Sequence, residues 1–393
     1  MKLARRLDHI DPFYVMEFAK AASEIGASAA CDPTQGGERM IYLNIGEPDF
    51  TAPPQVREAA ERAIRDGRTQ YTQATGLPEL RERLSAWYRQ RFGLDVPARR
   101  IVITAGASAA LQLICLALFE AGDEVLMPDP SYPCNRHFVA AAEALARLLP
   151  ASAEHRFQLD AASVARAWAP ATRGVLLASP SNPTGTSIHP DEMRRIAEFV
   201  RQRGGATIVD EIYLGLSYDD AFGHSALACG DDVISVNSFS KYFNMTGWRL
   251  GWLVLPEHLV APVERLAQNL FICASTIAQH AALACFEPET ISEYERRRSE
   301  FRARRDRVVP ALQALGLSVP VAPDGAFYAY ADCSAHSPSS WDFCFDMMQR
   351  AHVAMTPGRD FGRHAPDQYL RLSFASSMAH LDEALHRLRR VLG

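Results

Sequence analysis

From about residue 52 the chain alternates two hydrophobic periods: short runs of aliphatic and β-branched residues, and longer stretches with apolar positions at helical spacing. The runs Arg100 to Thr104, Glu124 to Met127, Gly174 to Ala178, Ala206 to Val209, Val233 to Val236 and Arg249 to Leu255 read as strands. Stretches between them, such as Ala109 to Glu120 and Asp191 to Arg203, read as helices, and the alternation predicts an α/β fold built on a parallel sheet. A long, highly charged helix is predicted over Glu287 to Leu315. Beyond it Leu317 to Pro320, Ala326 to Tyr330 and Tyr369 to Phe374 read as strands of a second, smaller α+β unit. No internal repeat or low-complexity tract interrupts the pattern.

A chain of 393 residues is long for one core, so a large domain with a smaller one is expected, and a deep, dry site can be buried between them. With 48% hydrophobic and 22% charged residues and a net charge of -5, nothing offers an electrostatic footprint for nucleic acid or an anionic membrane. The first nine residues carry charge where a signal peptide needs an apolar run, and the nearly apolar stretch Ala105 to Phe119 is too short to span a bilayer. The eight cysteines are scattered, with no CxxC pair and no histidine cluster at zinc spacing, so no metal is expected and the thiols are expected to be reduced. Together these point to cytoplasmic small-molecule chemistry. Of the 41 basic residues only Lys2, Lys20 and Lys241 are lysines, which sharpens the question of why one stands at 241.

In an open α/β sheet ligands bind beyond the carboxyl ends of the strands. Here those ends are polar in a coordinated way: Gly106-Ala107-Ser108, Ser179 to Gly185, Asp210-Glu211-Ile212-Tyr213 and Asn237-Ser238-Phe239-Ser240-Lys241. The turn at 106–108 closes a strand and opens a helix, so it is either a tight packing turn or a phosphate site built from free backbone N–H groups and the Ser108 hydroxyl. Asp210 ends an apolar strand, where a carboxylate either caps the next turn or pairs with a cationic heterocycle nitrogen. Lys241 lies among apolar residues; it either snorkels to the surface or is an amine freed by desolvation for Schiff-base chemistry. Arg249, eight residues on, could meet the same phosphate as a charge-assisted partner.

The segment Ser238 to Gly251 resembles the cofactor-lysine signature of the class I aminotransferases, the fold type I enzymes that depend on pyridoxal 5'-phosphate. Further landmarks of that family are similar and in order: Asn44 to Phe50, Tyr71 to Gly76, Ser179 to Gly185, Asp210 to Tyr213, Gly325 to Tyr328 and Tyr369 to Ser373. The likeness covers roughly residues 30–390. It implies a large domain, residues 51–285, with a mostly parallel seven-stranded sheet flanked by helices. Residues 1–50 and 286–393 would form the smaller domain.

The resemblance also implies roles. Lys241 would carry the cofactor as an internal aldimine and move the substrate's α-proton, and Asp210 would keep the ring nitrogen protonated. Tyr213 and Asn182 would hydrogen-bond the ring's phenolic oxygen, with Tyr132 stacked on its face. Gly106, Ala107, Ser108, Ser238, Arg249 and, more weakly, Ser240 would hold the phosphate. Tyr71 would reach the phosphate of a partner subunit in a homodimer with shared active sites. Arg371 would clamp the substrate carboxylate, although on residue type alone a structural salt bridge is the alternative. Gly46 would let backbone approach the substrate.

The implied reaction moves the amino group of an L-amino acid to a 2-oxo acid, although a β-eliminating lyase or a cyclising synthase would use nearly the same residues. An aminotransferase-like effector module would need an extra N-terminal domain for which no room precedes Gly46, and a nicotinamide dehydrogenase lacks its glycine fingerprint. Some aspartate-specific relatives have lysine where this chain has Ser108, so an uncharged donor side chain is expected. The segment Pro12 to Phe18 either covers that side chain or packs as an amphipathic helix on the small domain.

Overall fold

The computed structural model describes residues 2–12 and 14–393. In chain order its strands are β1 (Ile41–Tyr42), β2 (Ile101–Thr104), β3 (Glu124–Asp129), β4 (Leu145–Pro150), β5 (Thr172–Ala178), β6 (Ala206–Asp210), β7 (Ile234–Ser238), β8 (Gly251–Val254), β9 (Tyr328–Asp332), β10 (Val353–Ala354), β11 (Thr356–Pro357) and β12 (Tyr369–Ser373). The α-helices are α1 (Tyr14–Gly26), α2 (Pro54–Arg65), α3 (Pro78–Phe92), α4 (Gly106–Leu118), α5 (Pro133–Ala141), α6 (Ala161–Ala167), α7 (Pro190–Gln202), α8 (Glu257–Leu270), α9 (Thr276–Leu283), α10 (Pro288–Ala314), α11 (Ser340–Arg350) and α12 (Met378–Leu392). Five of these helices start on a proline, at Pro54, Pro78, Pro133, Pro190 and Pro288, where a missing N–H costs nothing and the fixed φ suits the first turn.

The main sheet has seven strands in the order β2-β8-β7-β6-β5-β3-β4, all parallel except β8, which runs antiparallel to both neighbours. The carboxyl ends of β2, β5, β6 and β7 therefore lie along one edge, together with the amino end of β8. Register makes this concrete, because Ala178 sits beside Asp210, Asp210 beside Val236, and Gly251 beside both Ser238 and Thr104. The interiors of β2 and β5 to β8 are almost wholly buried, as a sheet covered by helices on both faces requires.

A second sheet, β11-β12-β9, is antiparallel, and β1 pairs with β10 in a short parallel ladder. The 27-residue helix α10 passes along this region, and its Arg304, 1% exposed, grips both carboxylate oxygens of Asp49 at 2.8 and 3.0 Å and donates to the Ala375 carbonyl at 2.8 Å. That bidentate grip anchors the loop at 44–50, because a buried guanidinium left unpaired would cost about 3–5 kcal/mol.

Two expectations need correction. β4 was not expected; it is a half-exposed edge strand that contains Arg147 and ends on Pro150, a composition that only an edge tolerates and that masks the strand period. The run Leu317 to Pro320 forms no strand, only a single bridge between Ser318 and Asp332, since Pro320 has no N–H to extend a ladder. Among the described residues, no helix is long and apolar enough to cross a membrane, and no group of three or more His, Cys, Asp or Glu could hold a metal ion.

Candidate active site

Lys241 follows β7 by three residues, in a turn that returns to β8. Its Nζ donates to the Gly46 carbonyl at 2.7 Å, and it stands 5.8 Å from the ring centroids of both Tyr213 and Phe327. Burial among these groups lowers the amine from its usual range to about 8, with Arg371 and Arg249 adding to the effect and Glu47 and Asp210 opposing it.

Asp210, 4% exposed, ends β6 one strand away. Its Oδ1 accepts from the Ile212 N–H at 3.2 Å and its carboxylate is hydrogen-bonded by Asn135, yet burial still raises the group to about 7. The Ile212 N–H, the charge of Lys241 and the Asn135 hydrogen bond oppose that rise.

At the end of β2 the chain turns through Gly106, with φ +83°, into α4, whose amino terminus has no side-chain cap. The N–H groups at 107 and 108 begin that helix, and a Cβ on Gly106 would come within 2.8 Å of Arg249 Nη2. Arg249 is itself in the left-handed region at φ +52° and is exposed, so its guanidinium overhangs the turn. Ser238 Oγ lies 2.9 Å from Ser240 Oγ and accepts from the Ser240 N–H at 3.0 Å. Uncapped N–H groups, two hydroxyls and an arginine make a cradle for a phosphate dianion.

Arg371, 3% exposed, projects from β12. Nη1 donates to Asn182 Oδ1 at 2.8 Å and Nη2 to the Asn44 carbonyl at 2.7 Å, while the guanidinium lies 4.5 Å from the Tyr328 ring centroid and 5.0 Å from that of Phe361. No carboxylate partners it among the described residues, so the structural salt bridge left open by residue type is absent. Arg371 Nε and both side-chain polar atoms of Asn44 are buried without a hydrogen-bond partner.

An amine of lowered basicity, a buried carboxyl, an uncapped helix start under an arginine and a guanidinium without a carboxylate partner converge from five strands. The sequence matches the model of the family described as aminotransferase class I and II over residues 38–388. The chain belongs to the class I and II aminotransferases. It is 38% identical over 380 residues to a valine–pyruvate aminotransferase of Mycobacterium tuberculosis, covering 96% of each chain. An aminotransferase crystal structure from the same organism superposes with a TM-score of 0.93 at 37% identity, covering 100% of this chain and 99% of that one. The aspartate aminotransferase of Thermus thermophilus with maleate superposes at 0.91 and 32% identity, over 100% of both chains. The fold is thus that of the fold type I enzymes, and the activity is transamination.

In this aminotransferase the expected site residues occupy one rim, with one exception. Tyr213 is buried and its hydroxyl lies 2.7 Å from that of Tyr328, Asn182 is engaged by Arg371, and half-buried Tyr132 precedes α5 with its phenol pushed up by burial. Ser108 is exposed at the start of α4. The exception is Tyr71, which is 79% exposed. Of the segment expected to cover the substrate, Phe13 lies outside the described residues, while Phe18 packs under Trp341 and Phe345 with ring centroids 4.9 and 4.5 Å away. Asp360 ties the start of α1 down by accepting from the Val15 N–H at 2.9 Å. A cleft of about 1110 Å³ lies elsewhere, lined by Arg6, Asp8 and Glu143 among others, and holds none of these groups.

Sequence reasoning missed Asn44, Asn135 and Thr356. Asn44 acts through its backbone carbonyl, which carries no side-chain signature. Asn135 and Thr356 become neighbours of Asp210 and Arg371 only through helix and sheet packing. Tyr328, like Asn44, lies in a landmark of the family resemblance, which implies no role for it.

Proposed function

We propose that this aminotransferase binds pyridoxal 5'-phosphate in the site, covalently through Lys241 Nζ, and transfers the amino group of an L-amino acid with an uncharged side chain to a 2-oxo acid. The observation that carries the reading is geometric: Lys241, held at the Gly46 carbonyl after β7, buried Asp210 at the end of the neighbouring strand β6, and the uncapped start of α4 beneath Arg249 stand on one edge of the sheet. The residues fit the cofactor: the uncapped start of α4 under Arg249 suits its phosphate, and Asp210 suits its ring nitrogen. When bound, the cofactor supplies an electron sink for the carbanion left when the α-proton departs.

The chain's own groups do the rest. Gly106, Ala107, Ser108, Ser238, Ser240 and Arg249 hold the phosphate. Asp210 keeps a proton on the ring nitrogen by supplying the facing negative charge. Tyr213 and Asn182 hydrogen-bond the phenolic oxygen, and Tyr132 covers the ring face. Arg371 binds the substrate carboxylate with two parallel N–H groups, which sets the orientation of the Cα–H bond. Lys241 would hold the cofactor, and its amine would serve as the base that accepts the substrate's α-proton and as the acid that returns it. Gly46 keeps the loop against the site free of any side chain.

Three further readings belong with this one. The cofactor unit is residues 51–285, and residues 1–50 join 286–393, as the β1–β10 ladder and the packing of Phe18 on α11 support. The active form is a homodimer, supported by the exposure of Tyr71. The cytoplasm is its compartment, supported by eight free cysteines.

The test is direct. Purified protein loaded with the cofactor should show a near-visible band and pass amino groups from amino acids to pyruvate or 2-oxoglutarate, and Lys241→Ala should lose both. Ammonia released without an acceptor would assign the site to a lyase instead.

A further inference from the structure

Tyr213 and Tyr328 come from different units, yet their hydroxyl oxygens lie 2.7 Å apart with the rings nearly perpendicular, at 81° and 5.6 Å between centroids. Both rings are almost wholly buried. Three neighbours fix where the Tyr328 hydroxyl can be. Arg371 covers one face of its ring at 4.5 Å. Phe327 packs against both phenol rings, 5.5 Å from Tyr213 and 4.9 Å from Tyr328. Gly46 closes the remaining side, since a Cβ there would overlap the Tyr328 hydroxyl, and the same glycine's carbonyl accepts from Lys241. One hydroxyl thus touches the loop that holds the lysine and the phenol expected to serve the cofactor, on a ring held by the substrate clamp.

Either oxygen can donate in the shared bond, and only one direction leaves Tyr213 a proton for a ligand. Burial disfavours the phenolate at both residues, so the pair keeps two protons and shares one. If Tyr213 donated to Tyr328, it would have no proton left for a ligand. If Tyr328 donates, the Tyr213 proton is free and, by cooperativity along the chain of hydrogen bonds, is the better donor.

We propose that Tyr328 is a positioning residue that acts through Tyr213: its hydroxyl donates to the Tyr213 oxygen and so directs the Tyr213 proton onto the phenolic oxygen of the bound cofactor. This rests on the reading that the site binds pyridoxal 5'-phosphate. Gly46 then owes its lack of a side chain to Tyr328 as well as to the substrate.

The readout is the pH titration of the near-visible band of the holoenzyme. A phenolic oxygen that receives a weaker hydrogen bond is less stable as an anion, so the adjacent lysine nitrogen keeps its proton to higher pH. Tyr328→Phe keeps the ring on Arg371 and removes only the donor. Its midpoint should rise by roughly 0.3–0.5 pH unit, with kcat reduced severalfold and KM for the amino donor unchanged within about twofold. Tyr213→Phe should raise the midpoint further, and adding Tyr328→Phe to it should change nothing more, because the path no longer exists. A Tyr328→Phe midpoint within about 0.1 unit of wild type, or an equal shift in the Tyr213→Phe background, overturns the proposal. So does loss of cofactor binding in Tyr328→Phe, since a positioning hydroxyl leaves the phosphate cradle intact. Wild-type protein with no near-visible band overturns the cofactor reading beneath it, a failure distinct from the other three.

Discussion

Arg371 and Asn182, 189 residues apart in the chain, meet in a 2.8 Å hydrogen bond from the guanidinium Nη1 to the amide oxygen. The contact joins the antiparallel sheet to the loop after β5. It leaves Arg371 without a carboxylate and oriented by an amide, the Asn44 carbonyl and two aromatic faces. An arginine held so firmly toward neutral partners is ready for an anionic ligand. Arg371→Ala should reduce kcat/KM for the amino donor by roughly 100- to 1,000-fold, about 3–4 kcal/mol of transition-state binding. A loss below about fivefold in steady-state assays would remove the clamp from the mechanism.

Asp210 makes a pH prediction for the cofactor-free protein. Its folded-state affinity for protons is raised from 3.8 to about 7, mainly by burial, so its contribution to stability is complete below pH 3.8 and is lost as pH rises through about 7. Asp210→Asn removes the titration. In urea melts at pH 5, 6, 7 and 8, the wild-type stability should therefore fall relative to Asp210→Asn, by up to about 1.4 kcal/mol per pH unit below pH 7 and little above it. A difference that does not vary with pH would show that the carboxyl is ionised throughout.

The turn at Gly106 predicts a cofactor-binding defect. Gly106→Ala places a Cβ on a left-handed residue, a strain of about 1–2 kcal/mol, and against Arg249. Titration with pyridoxal phosphate should give a Kd at least about tenfold higher than wild type, with Arg249→Ala weaker by a similar factor. Unchanged affinity in both variants would place the phosphate elsewhere.

The exposed Tyr71 can be tested by mixing two dead enzymes. Tyr71→Ala and Lys241→Ala homodimers should each be nearly inactive if every site needs Lys241 from one subunit and Tyr71 from the other. Unfolding and refolding an equal mixture should then restore roughly a quarter of wild-type activity, because half the dimers are hybrids and each has one intact site. Recovery near zero would mean that Tyr71 serves its own chain or none.

For substrate choice, kcat/KM should be higher for L-alanine, L-methionine, L-leucine or L-phenylalanine than for L-aspartate. A second carboxylate in a dry site needs a cation, and exposed Ser108 supplies none. Ser108→Lys should shift the aspartate-to-leucine ratio upward. If wild-type enzyme used aspartate tenfold better than every uncharged donor, about 1.4 kcal/mol, the idea would fail.

Much of this protein is legible in its sequence, for a local reason. Strand ends in a parallel sheet share one edge whatever the rest of the chain does, so Gly106, Asp210, Ser238 and Lys241 could be assigned to one rim from hydrophobic period alone. A lysine among apolar residues likewise narrows to a snorkelling side chain or a desolvated amine, and packing against Tyr213 and Phe327 makes it the second. Other features depend on which chain segments the fold brings together. β4 escaped notice because an edge strand needs only half the hydrophobic pattern, and Leu317 to Pro320 failed as a strand because pairing requires a partner and an N–H. Arg371 reads equally as ion pair or ligand clamp until β12 places it beside Asn182 and the Asn44 carbonyl. The Tyr213–Tyr328 pair, the Gly46 contact and the Arg304 grip on Asp49 bridge between 115 and 282 residues of chain. Long-range contacts of that kind leave no period in a sequence, because their energy comes from groups that meet only after both units have packed.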